Sequence, residues 1–329
     1  MTKERILFLD VAKAVCIILV VVGHYVPDNS PGWYVAIHDV IYTFHMPLFM
    51  FASGYVYIAT RRDIGYGSFL MRKLRRLMVP YLSTSVIVIT IKLLTQGGMG
   101  VEHPVTVSSY LRMFYLPEAG YFLWFIWALW WMFVLVPLFR TPGSRLVLFI
   151  AALALHYVPL ALPREFCISE CRSMLVFFML GVVAFENKWL HAFVNGPGWR
   201  KTVCASCLFA VANYVNLTKM GGVGGTLASV VLPYAGIWFT LEVSKSVRDG
   251  SPVQRRLMAV AASSYIIYLF HTTFEGFAKA VFRKLPLDSG LWYVFVPEAL
   301  VVIASGVVFP MLLFWLFKKY RATRLLFGL

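Results

Sequence analysis

His24, His45 and His271 stand in otherwise apolar stretches of the sequence, and imidazole is the side chain best suited to take a proton from a hydroxyl near neutral pH. Lys13 and His24 are eleven residues apart, almost a whole number of helical turns. A helix therefore carries them on one face, about 16 Å apart along its axis. Asp10 lies one turn before Lys13 and either neutralises it or belongs to the same chemical face. His38, Tyr42 and His45 share one side of a second helix, with His45 about 10 Å from its start. Ser264, Tyr268, His271 and Glu275 recur at helical intervals as a polar stripe, with His271 about 21 Å from the start of its helix. For Ser264 and Tyr268, simple hydrogen bonding between helices is the competing reading. Three histidines reaching one depth from three helices predict a buried acid–base centre. No Gly-x-Ser-x-Gly elbow accompanies them, so a serine-hydrolase mechanism has no support.

A second chemical signal is basic. Arg61 and Arg62 are followed by Arg72, Lys73, Arg75 and Arg76 in a stretch that reads as a loop entering the third helix. Such a run binds anionic lipid and sets topology, or it docks the phosphates of a donor through guanidinium forks. ATP and NAD have no motif behind them, since neither a Gly-x-x-x-x-Gly-Lys loop nor a dinucleotide fingerprint occurs. The five cysteines include Cys167 and Cys171 in a loop and Cys204 and Cys207 at a helix start, with no histidine at ligand spacing, so no metal site is expected.

The elements that must position these groups are membrane-spanning helices. Apolar residues make up 60% of the 329-residue chain and charged residues only 14%, and mean hydropathy is +0.74. The expected fold is all-α, one polytopic transmembrane domain over residues 1–329. Ten helices are predicted, at about 6–26, 38–60, 79–96, 121–139, 146–160, 173–186, 202–218, 223–244, 257–275 and 291–317. The first is too long, and charged too early, for a cleaved signal peptide. A net charge of +15 raises nucleic acid as a partner, but the charges sit in short connections, where they encode orientation. With both termini in the cytoplasm, 21 basic residues fall inside against seven outside, so a bacterial inner membrane with cytoplasmic termini is expected.

Several segments resemble the acyltransferase-3 family, especially fucose-4-O-acetylase-like members. They are Asp10-Val-Ala-Lys13 with His24, Phe44-His-Met-Pro47 through Ser53-Gly54-Tyr55, Phe69 to Tyr81, Leu123-Trp124-Phe125, and Ser264 to His271. The resemblance implies ten core helices, a cytoplasmic acyl-CoA donor, acetyl-CoA above all, and transfer to an extracytoplasmic glycan or lipid-linked sugar. It places the family's basic residue and histidine, ten residues between them, on Lys13 and His24, where arginine is commoner at the first position. The family's Arg-x-x-Arg falls on Arg72 and Arg75, with Lys73 and Arg76 at the same spacing. On this reading His24 is general base or acyl carrier, supported by Lys13, Asp10, His45 and His271. The four basic residues hold the donor's phosphates, Trp124, Glu118 and Tyr268 meet the sugar, and no cofactor is permanently bound. Trp124 reads equally as an interfacial anchor. Membrane lipid is the remaining expected partner. Two other classes compete: a transporter of a lipid-linked sugar or small acid with a histidine proton relay, and a non-catalytic scaffold.

Overall fold

A computed structural model describes residues 6–99, 101, 103–196, 198–219, 222–285 and 291–329. Lys3 and Arg5, counted in the charge balance, lie outside them. All regular structure among the described residues is helical, as thirteen α-helices and three short 3-10 turns. The helices are α1 (Leu7–His24), α2 (Gly32–Ala59), α3 (Tyr66–Met99), α4 (Ser109–Arg112), α5 (Trp124–Leu135), α6 (Pro142–Tyr157), α7 (Ile168–Glu186), α8 (Lys188–Asn195), α9 (Trp199–Leu217), α10 (Gly222–Lys245), α11 (Pro252–Phe282), α12 (Trp292–Lys319) and α13 (Arg321–Leu326). The predicted spans fall on α1, α2, α3, α5, α6, α7, α9, α10, α11 and α12. Among the described residues, eight helical stretches are long and apolar enough to cross a membrane; α6, with 16 residues, and α9 are not among them. The chain is an all-α integral membrane protein, in which each span satisfies its backbone internally.

Four helix starts precede the expected positions by five residues or more: α2 begins at Gly32 rather than 38 and α11 at Pro252 rather than 257, and α3 and α7 change the reading of polar residues. α3 begins at Tyr66 rather than near residue 79, so Arg72, Lys73, Arg75 and Arg76 lie in a helix and not in a loop. Arginine, lysine, leucine and methionine are all good helix formers, and an apolar-run reading stops at charges where the backbone does not. α7 begins at Ile168 rather than 173, which makes Glu170 and Cys171 helical and puts Cys167 in the preceding 3-10 turn.

Glycine permits the closest packing. A Cβ on Gly54 of α2 would lie 1.9 Å from the Phe178 carbonyl oxygen, and one on Gly181 of α7 would lie 2.1 Å from that of Phe51. The two backbones touch where lipid supplies no hydrophobic drive, and dispersion between them replaces it. Near the ends of these helices, Arg145 is buried and clasps Glu186 with two nitrogens, while its Nη1 donates to the carbonyls of Phe139 (2.9 Å) and Arg140 (2.8 Å). That one guanidinium joins α6, α7 and the chain beyond α5. A Thr141–Ser144 capping box with Pro142 starts α6, and Ser251 with Pro252 starts α11. Pro47 in α2 and Pro233 in α10 each remove a backbone donor inside a helix, and both lie on the wall of the main cavity.

Candidate active site

The main cavity, about 680 Å³, opens among the end of α1, the first half of α2, the second half of α3, the start of α5, the end of α6, the start of α7, the middle of α10 and the second half of α11. Because successive spans run in opposite directions, these are all the same end of the bundle. The volume is that of a small-molecule site.

His24, Tyr42, His45, Tyr268 and Glu275 line one side of this cavity. His24 is the last residue of α1, and the preceding Gly23 admits the Tyr42 ring, whose Cε2 would stand 2.9 Å from a Cβ there. The Tyr42 ring centre is 4.1 Å from that of His38, 4.8 Å from His45 and 6.3 Å from His24. His45 Nδ1 meets the Ile41 carbonyl at 2.8 Å. His271 Nδ1 meets the carbonyls of Tyr268 at 2.9 Å and Ile267 at 3.1 Å. A carbonyl only accepts, so each Nδ1 carries the proton and leaves Nε2 as the basic nitrogen. Cys16 Sγ donates to the His45 carbonyl at 3.0 Å and so sets the register of α1 on α2.

His271 is wholly buried and lies directly behind His24, with ring centres 4.9 Å apart. The Phe122 ring closes the group, 6.0 Å from His24 and 5.1 Å from His271, and Tyr268 Oη donates to the Phe122 carbonyl at 2.5 Å. His24 is the imidazole of this pair that faces the cavity, and His271 limits how its ring can turn. Next along the chain, Tyr25 is fully buried, its ring centre 5.9 Å from that of Phe295.

Lys92 of α3, Lys279 of α11 and the following Arg283 also line the cavity, and so do Tyr121, Trp124, His156, Glu170 and Ser173 from the α5–α7 side. Of the residues singled out in the sequence, His24, Tyr42, His45, Trp124, Tyr268 and Glu275 therefore share one cavity, with His271 just behind it. The others lie elsewhere. Lys13 donates to Asp10 at 3.4 Å lower on α1, the local pairing anticipated for them. Glu118 is off the cavity wall and accepts from Ser109 Oγ at 2.9 Å, a bond that folds the segment around α4. Arg72, Lys73, Arg75 and Arg76 are at the opposite end of α3. Ser264 Oγ turns back to the Ala261 carbonyl of its own helix. Glu170 escaped the sequence reading because the apolar run of α7 starts only after it, whereas His156 and Ser173 fell inside predicted spans as single polar residues and were not singled out. The spacing Glu170, Ser173, Met174, Phe177 is nevertheless a helical face, and all four line the cavity.

No solved structure matches the chain. Nodulation protein NolL of Mesorhizobium japonicum is 25% identical over 228 residues, covering 62% of this chain and 59% of that protein. Nodulation protein NolL of Sinorhizobium fredii is 29% identical over 186 residues, covering 54% of this chain and 48% of that protein. The aligned part thus spans about half the length of each relative. The profile of the acyltransferase domain matches residues 6–315, from the first turn of α1 into α12, and the histidine-lined cavity lies within that match. By a match of that extent, the chain belongs to the acyltransferase-3 family.

Proposed function

We propose that this protein is an O-acyltransferase that moves an acyl group, acetyl first among the candidates, from acyl-CoA to a hydroxyl of an extracytoplasmic glycan or lipid-linked sugar. The observation that carries the reading is His24 facing a cavity of about 680 Å³ with the buried His271 ring 4.9 Å behind it. As the acceptor oxygen attacks the thioester carbonyl carbon, His24 takes the hydroxyl proton, the carbon–sulfur bond breaks, and the proton passes to the departing thiolate. In the two-step form His24 itself attacks first, and the acceptor then takes the acyl group from the imidazole. Both routes end in the same ester and free thiol. A second positive charge on His271 is costly this close to a protonated His24, which favours passing the proton on to the thiolate.

The donor's phosphates are assigned to the far end of α3. Arg72, Arg75 and Arg76 are exposed there, whereas Lys73 folds onto the Phe133 ring, with Nζ 3.6 Å from its centre. That difference favours the Arg72–Arg75 register. From Arg75 to Val88 on the cavity wall is about 20 Å along the helix, the distance the thioester arm has to cover. With cytoplasmic termini in a bacterial inner membrane, donor and acceptor approach from opposite faces, and Trp124 and Tyr268 stand on the acceptor side.

The experiment is mass spectrometry of surface glycans from cells with and without the gene, beside acyl-CoA binding by the purified protein. Loss of an O-acyl group together with acyl-CoA binding is expected. Unchanged glycan acylation in a protein that binds no acyl-CoA contradicts the reading and favours transport.

A further inference from the structure

The cavity has a second polar wall with chemistry unlike that of the histidine wall. Tyr121 Oη donates to Glu170 Oε1 at 2.5 Å, while Glu170 Oε2 is buried with no hydrogen-bond partner among the described residues. His156 Nδ1 meets the Ser173 carbonyl at 2.7 Å, so it carries the proton and Nε2 is left as an acceptor. The His156 ring is held edge-on between Tyr157 and Phe177, at 4.7 and 5.4 Å. Arg172, the cation nearest in sequence, directs Nη1 to the carbonyls of Leu155 and Val158, both at 2.6 Å. This wall therefore offers a carboxylate oxygen and an imidazole nitrogen, both acceptors, in a cavity that Trp124 also lines.

The 3-10 turn Tyr121–Leu123 joins this wall to the first. Tyr121 holds Glu170 on one side, and its neighbour Phe122 touches His24 and His271 on the other. A molecule seated against Glu170 is thereby held at a fixed offset from His24. Acceptors on a wall call for donors on the ligand, and a ring bearing several hydroxyls supplies them while its apolar face covers the indole. A phosphate or carboxylate is repelled by Glu170, and a purely apolar group leaves Oε2 unpaired at a desolvation cost. The cavity's cations, Lys92, Lys279 and Arg283, come from the α3 and α11 sides instead.

Resting on the acyl-transfer reading above, we propose that Tyr121, Trp124, His156 and Glu170 form the acceptor subsite. It binds a neutral pyranose, with Glu170 Oε2 and His156 Nε2 accepting from ring hydroxyls and one further hydroxyl presented to His24. Glu170 binds the acceptor and takes no part in proton transfer.

The test is calorimetric titration of the full chain in lipid nanodiscs with methyl glycosides of fucose, glucose, galactose and N-acetylglucosamine, and separately with acetyl-CoA. Wild type is expected to bind at least one glycoside. Glu170→Gln and His156→Gln are each expected to weaken that binding tenfold or more, with acetyl-CoA affinity and thermal melting unchanged, and Tyr121→Phe is expected to weaken it less. Should one substitution prevent folding, the other two carry the same readout. Sugar affinity unchanged in the folded variants, or a wild type that binds none of the glycosides, overturns the subsite. Failure of the acyl-transfer reading looks different: glycosides bind and respond to Glu170→Gln, but acetyl-CoA neither binds nor donates.

Discussion

At the His24 end of the bundle, ionisable groups are sunk among helices and their orientation is set by backbone carbonyls: His45 by Ile41, His271 by Ile267 and Tyr268. At the Arg72 end, three guanidiniums stand exposed on α3, and the buried charge nearby, Arg145, is matched by Glu186. The first arrangement suits proton transfer, which needs a fixed geometry and a nitrogen left basic. The second suits capture of a multiply charged group, which needs reach and net positive charge. Between them α3 runs from Tyr66 to Met99 and contributes to both ends.

The comparison can be broken by substitutions whose effects fall in a definite order. Arg145→Ala leaves Glu186 without its partner in a mostly buried place, and a loss of about 3–5 kcal/mol is expected, read as a large drop in thermal melting of the purified protein. Arg75→Ala is expected to weaken acyl-CoA binding by about 1.5–3 kcal/mol, against little change for Arg321→Ala on α13. Equal weakening by both reduces the Arg72 end to general surface charge. His45→Gln and His271→Gln are expected to slow transfer without stopping it, each by at least about tenfold less than loss of His24, since they orient rather than transfer. Lys13→Ala removes only a 3.4 Å, partly exposed contact to Asp10, and a stability change of about 0.2–1 kcal/mol is expected by the same melting measurement.

Hydropathy located the eight stretches long and apolar enough to cross a membrane, because that requirement is written locally; the predicted spans at 146–160 and 202–218 fall on α6 and α9, which are helical but not among the eight. Helical spacing likewise put His24, His45 and His271 at one depth. Which of them faces the cavity was not legible: His271 stands behind His24 because of how α1 packs on α11, and spacing within one helix says nothing about its neighbour. Charges misled the reading at two helix starts, the basic turns of α3 and the polar turn Ser169–Ser173 of α7, where the backbone stays helical although the apolar run has stopped. The second error hid Glu170. The resemblance put Glu118 against the sugar, and in the structure its Oε2 accepts from Ser109 Oγ off the cavity wall.

The central claim, that His24 handles the proton or the acyl group while the Arg72 end holds the donor, is tested most directly by His24→Gln. Glutamine keeps hydrogen bonding and much of the shape of the ring but takes no proton. Single-turnover acyl transfer and acyl-CoA binding should be measured on the same purified sample. Transfer is expected to fall by about 10²–10⁴-fold while binding stays at the wild-type level. Substantial transfer by the folded His24→Gln protein contradicts the account.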